Sequence, residues 1–113
     1  MMFTPNYLKN DIVLVRYPFS DLSGSKVRPA IVVQEPHPSE DFFIIPLTSR
    51  TTGLMAGEFV LDDWETVGLN VPTALKRGLY TVHKVLIIKK IVHLSHRDAH
   101  LTEQSLREWL GLR

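Results

Sequence analysis

The sequence predicts a mainly β domain, a small barrel of short strands with one helix at its C-terminal end. Short segments rich in β-branched and aromatic residues recur between turn signals from Asp11 to Ile88, and only the stretch after Ser95 shows helical spacing. The 113-residue length has room for one core, so residues 1–113 are read as a single domain.

Asp11–Tyr17 opens the barrel after a polar turn at Lys9-Asn10. It lacks clean alternation and is read as a strand buried on both faces or nearly so, ended by Pro18. Ser20–Ser25 is polar and contains glycine, as a loop requires. Val27–Gln34 forms the second strand, with Pro29 near its start, where a missing amide donor does least harm. A proline-bearing loop over Glu35–Glu40 leads to a third strand at Phe42–Leu47. Thr48–Gly57 reads as loop, Glu58–Leu61 as a short strand before a turn at Asp62-Asp63, and Thr73–Lys76 and Thr81–Ile88 as further strands. In the helix, Ser95 with Asp98 approximates a capping box. Ala99, Thr102, Leu106, Trp109 and Leu110 share one face, and Gly111 supplies the stop.

Composition removes several classes. Hydrophobic residues make up 44% and charged residues 22%, the balance of an ordinary soluble globular domain. The absence of cysteine excludes disulfides, a thiolate metal site and a cysteine nucleophile, and suits a cytoplasmic location. Apolar runs such as Val85–Ile88 are too short to span a bilayer, and Met1–Asn6 lacks the regions of a secretory signal, so no membrane partner is expected. A net charge of +1 makes any nucleic-acid binding a matter of local placement. His96 and His100 stand four apart without the glutamate of the metalloprotease pattern, so no metal is expected; neither a phosphate loop nor a nucleophile elbow is present.

A polar and cationic set at strand ends remains. Lys26 and Arg28 flank the start of the second strand, Thr48, Ser49 and Arg50 follow the third, and Thr73, Lys76 and Arg77 belong to the next. Guanidinium forks and neutral hydroxyl donors in one set suggest an anion site. Strand ends of a small barrel gather on a rim, where these segments can converge.

The order of segments resembles one family. Asp11–Tyr17 running into Pro18-Phe19-Ser20-Asp21, then Gly24-Ser25-Lys26-Val27-Arg28-Pro29-Ala30, is similar to the opening of the MazF/PemK (Kid-like) toxins. Pro46-Leu47-Thr48-Ser49 resembles that family's third-strand ending, and Thr81–Ser95 the segment leading into its last helix. The resemblance runs from about Lys9 to Leu112. It implies a small SH3-like (PemK-like) β-barrel of about five to seven short strands with a C-terminal α-helix. It implies a homodimer and the activity of an mRNA interferase. Such an enzyme is a sequence-specific, metal- and cofactor-independent endoribonuclease that cuts single-stranded mRNA by 2′-hydroxyl attack, leaving 2′,3′-cyclic phosphate and 5′-hydroxyl ends. A cognate antitoxin protein is the implied partner, with operator DNA bound mainly by the toxin–antitoxin complex.

Carried over by position, Arg28 matches the family's catalytic arginine and Thr48 its hydroxyl donor to the scissile phosphate, while Thr73 and Lys76 match a strand of RNA contacts. Lys26, Ser49, Arg50 and Arg77 complete the expected RNA-binding set. Gly78 stands where Kid-like members often carry Asp. The general base is therefore open between Asp21, His83 and electrostatic help alone. A second reading follows, a non-catalytic barrel that binds antitoxin or RNA. Arg28-Pro29-Ala30 argues against a third, a gyrase-directed toxin of the same barrel type.

Overall fold

A computed structural model describes residues 7–17 and 26–113. The expected strand end at Pro18, the Ser20–Ser25 loop and the candidate base Asp21 lie outside the described residues. Among the described residues there are six antiparallel strands, β1 (Asp11–Tyr17), β2 (Lys26–Val32), β3 (Asp41–Thr48), β4 (Ala74–Leu75), β5 (Tyr80–His83) and β6 (Ile87–His93), followed by α1 (His96–Leu110). Strands run in the order β4-β3-β2-β1-β6, and β5 also pairs with β3.

That order requires a curled sheet. Along the path β5-β3-β2-β1-β6 the outer strands of a flat sheet stand about 19 Å apart, four spacings of about 4.8 Å. Yet β5 and β6 are consecutive, joined by one 3₁₀ turn at Lys84–Leu86, a reach of about 10 Å. The two edges therefore approach one another, as the predicted barrel demands. Two shifts in the β1–β6 register, between Ile12 and Val13 and between Leu14 and Val15, supply local curvature. The expected continuous strand over Thr81–Ile88 is thus two strands with a corner between them. At that corner Nδ1 of His83 accepts the Val85 amide at 3.2 Å, and the Lys84 amide donates to the Glu40 carbonyl at 2.8 Å.

Alternation along the strands divides the core in two. Val13, Val15, Ala30, Val32, Phe42, Ile44, Val82 and Ile87 pack together on one side of the sheet. Ile12, Ile31, Ile45, Leu47, Leu61, Leu75 and Leu94 pack on the other, beneath Ala99, Leu106 and Trp109 of the helix. Both faces of β1 are buried, as its uninterrupted apolar sequence predicts. Asp11 is 1% exposed and accepts the Leu8 amide at 2.8 Å, His93 Nδ1 at 2.7 Å and Lys90 Nζ at 3.3 Å, tying the start of β1 to β6. Burial pushes its carboxyl upward, but the bonds from His93, Leu8 and Lys90 prevail and hold it below the ordinary carboxylate value.

The helix starts and stops where the sequence indicates. Ser95 Oγ accepts the Asp98 amide at 3.1 Å, and Gly111 takes the left-handed conformation with φ 70°. Asp98 does not close a capping box: its two carboxylate oxygens reach out of the helix to the amides of Asp62 and Asp63, each at 2.9 Å. Leu110 is 51% exposed and does not join the buried stripe. The expected strand at Glu58–Leu61 is reduced to one bridge, Val60 opposite Ala74, because β4 offers only two residues to pair with before the chain turns at Asp62.

Candidate functional site

The cationic segments meet through strand register. β2 and β3 are paired at Ala30–Pro46, Ile31–Ile45 and Val32–Ile44. Two residues further along lie Arg28, just inside the start of β2, and Thr48, at the end of β3, so antiparallel pairing brings them to the same rim. β4 pairs with the other edge of β3 there, Ala74 opposite Thr48 and Leu75 opposite Leu47. That places Thr73 and Lys76 on either side of the pairing, and the Lys76 amide donates to the Pro46 carbonyl at 3.0 Å.

The result is a cleft of about 620 Å³ whose walls include Arg28, Thr48, Ser49, Thr73 and Lys76, together with Tyr17 and the apolar Val27 and Val71. A neighbouring cleft of about 260 Å³ shares Thr48 and Lys76 and adds Arg50, Thr52, Met55 and Glu58. Of the residues expected from sequence, Arg28, Thr48, Ser49, Thr73 and Lys76 line the first cleft and Arg50 the second. Lys26, paired opposite Tyr17, and Arg77 line neither. His83 is away from the cleft: it pairs with Asp41, the first residue of β3, whereas Thr48 is the last.

Individual side chains differ in what they can offer. Arg28 is exposed; among the described residues its Nη1 contacts the Val27 carbonyl at 3.3 Å and its guanidinium, a planar fork suited to an anion, has no acidic partner. Thr48 Oγ1 accepts the Arg50 amide at 3.0 Å, which orients the hydroxyl while leaving its proton to donate. Thr73 is 5% exposed and its hydroxyl donates to the Val71 carbonyl at 2.9 Å, so it shapes the cleft wall and has no proton left for a ligand. Burial raises the Tyr17 phenol, Tyr80 nearby adds to that and the Arg28 charge opposes it. The phenol therefore stays protonated near neutrality, a neutral wall beside the guanidinium.

Two features escaped sequence reasoning. Glu58 carries the carboxylate of the second cleft; its oxygens accept the Met55 and Arg77 amides at 2.7 Å each. Those bonds, with the Lys76 and Arg77 charges, hold it below the usual glutamate value. No local motif marks it, since its partners are brought in by the fold. Tyr80 lies close to Gly78: a Cβ at residue 78 would stand 2.8 Å from Cε2 at the far end of the Tyr80 ring, an exposed side chain that would have to move aside. Among the described residues no three His, Cys, Asp or Glu are grouped to hold a metal ion, and no helix is long and apolar enough to cross a membrane.

A mainly β barrel with a C-terminal helix thus carries arginine, threonine and lysine side chains in one cleft at its rim. The sequence matches the PemK-like, MazF-like toxins of type II toxin–antitoxin systems over residues 9–110, and the chain belongs to that family. Its fold is similar to that of the Mycobacterium tuberculosis toxin MazF-mt6, at TM-score 0.70 and 18% identity, covering 91% of this chain and 98% of that one. An endoribonuclease from a mycobacterial species superposes at TM-score 0.75 with 15% identity over 98% of this chain and 97% of that one. The MazE–MazF structure from Deinococcus radiodurans gives TM-score 0.74 and 18% identity over 95% and 98%. Comparison with curated proteins yields no match.

Proposed function

We propose that this protein is an endoribonuclease toxin, an mRNA interferase that cuts single-stranded RNA at a preferred sequence without a metal or cofactor and is restrained by a cognate antitoxin. The observation that carries the reading is the convergence of Arg28, Thr48 and Lys76 on one cleft. In the proposed reaction the ribose 2′-oxygen bonds to the adjacent phosphorus and the bond from phosphorus to the 5′-oxygen breaks. The products are a 2′,3′-cyclic phosphate and a 5′-hydroxyl. The 2′-hydroxyl proton passes to a base, for which Asp21 is the proposed group, and the 5′-oxygen takes up a proton from solvent as it leaves. Arg28, Thr48 and Lys76 donate to the phosphorane oxygens, whose charge grows as the transition state forms. Ser49 and Arg50 extend the cationic and hydroxyl-bearing rim along the RNA. Lys26 and Arg77 contribute charge from outside the clefts.

A homodimer acting in the cytoplasm is part of the reading, as is operator DNA bound mainly in complex with the antitoxin. The mycobacterial endoribonuclease solved with its cognate antitoxin, at TM-score 0.72, supports an antitoxin partner here.

The test is incubation of a long single-stranded RNA in EDTA with the parent protein and with Arg28→Ala, and chemical identification of the new ends. Cleavage giving cyclic phosphate ends, lowered about 100- to 1,000-fold in a folded Arg28→Ala protein, is the expected result. Equal cutting by the variant refutes the assignment. Gly78, which stands where Kid-like members often carry Asp, favours one other reading, a barrel that binds RNA or antitoxin without cutting. Salt-sensitive RNA binding with the RNA left intact is its signature.

A further inference from the structure

We infer that Glu58 is a positioning residue of this site, joining the Thr52–Met55 loop to the Lys76–Arg77 step so that one carboxylate fixes the two walls of the second cleft relative to each other. The inference rests on the RNA-cleaving reading above. Oε1 accepts the Met55 amide and Oε2 the Arg77 amide, both at 2.7 Å, the short distances of charge-assisted bonds. Arg77 lies 19 residues from Glu58, so the link crosses between separate segments. The base of Glu58 is anchored as well: the preceding Gly57 carbonyl accepts Ser105 Oγ at 2.7 Å, and the Ala56 carbonyl accepts Trp109 Nε1 at 2.9 Å. A chain of contacts therefore leads from the helix, through Glu58, to the backbone that carries Lys76.

Electrostatics sharpens the argument. A carboxylate lining a cleft with Thr48, Arg50 and Lys76 repels the phosphate those groups attract. With both oxygens accepting amide protons, and held ionised by them, Glu58 is poorly suited to take up the 2′-hydroxyl proton. Its charge opposes binding while its geometry supports the reaction, so the two effects separate in kinetics.

The experiment measures kcat and KM on a single-site RNA oligonucleotide for the parent, Glu58→Gln and Glu58→Ala. Amide hydrogen exchange at Met55 and Arg77 is followed in each protein, and the folded fraction is taken from circular dichroism. The expected result for Glu58→Ala is faster exchange at both amides and a kcat lowered about 10- to 100-fold. Its KM stays unchanged or falls, because a charge adverse to phosphate has gone. Glu58→Gln keeps one carbonyl acceptor and lies between. A kcat within about twofold of the parent in a folded variant overturns the inference. So does a loss that only follows the folded fraction, or a raised KM at unchanged kcat. An inert parent overturns the RNA reading itself, whereas an active parent with unaffected variants overturns the role of Glu58 alone.

Discussion

Gly57 and Gly53 form a matched pair that isolates one contact. Both have positive φ, +85° and +68°, so replacing either with alanine carries the left-handed penalty of about 1 kcal/mol. They differ in surroundings. A Cβ at residue 53 meets nothing within 4 Å, while one at residue 57 would stand 2.3 Å from Trp109 Nε1 and 2.9 Å from Cε2. The indole is not free to slide, because Nε1 donates to the Ala56 carbonyl at 2.9 Å and the ring packs on the core beneath the helix. Moving it forfeits a hydrogen bond of about 1 kcal/mol. It also forfeits roughly 50 Å² of apolar contact, about 1 kcal/mol more. Gly53→Ala is therefore expected to destabilise by about 1 kcal/mol and Gly57→Ala by about 3 kcal/mol. Urea titration followed by tryptophan fluorescence measures both, with midpoint shifts read at a common slope. Equal losses within about 0.5 kcal/mol would mean that the indole yields freely and that the helix does not anchor this loop. A double-mutant cycle with Trp109→Ala then apportions the difference.

Two further outcomes follow from buried carboxylates. Asp98 is 1% exposed and is the acceptor for the Asp62 and Asp63 amides. Asp98→Ala strands both and is expected to destabilise by about 3 kcal/mol, with Asp98→Asn, which keeps one acceptor, losing less; thermal or urea unfolding decides. Asp11 is held below the ordinary carboxylate value, so its folded-state pKa lies under its unfolded one. The stability it contributes is present above the unfolded value of about 4 and fades as pH falls through the folded value. Unfolding free energies measured from pH 7 down to pH 2 are expected to fall less steeply for Asp11→Asn than for the parent, and identical acid limbs contradict that account.

The pattern of what could be read in advance has a physical cause. β1, β3 and the helix were predictable because each is announced by its own residues: two short apolar runs rich in β-branched and aromatic residues, and a serine cap with a glycine stop. Arg28 and Thr48, singled out through local motifs at strand ends, both line one cleft. Glu58–Leu61 and Thr81–Ile88 were misread for the complementary reason. Whether a β-rich stretch becomes a strand depends on a partner elsewhere in the chain, and here β4 was too short for the first and a corner divided the second.

By itself, then, the sequence indicated the fold class, most of its elements and the cationic and hydroxyl residues at strand ends, all properties of short range along the chain. Only the tertiary structure decided which of those residues share a cleft. It set Arg28 beside Thr48 and Lys76 and left Lys26, Arg77 and His83 outside. It also turned Asp98 from a helix cap into a clasp on Asp62 and Asp63, and gave Glu58 two amides to hold. Register across β2, β3 and β4 made the first of those choices, because strand pairing converts distant positions into neighbours with a precision that composition and periodicity do not carry.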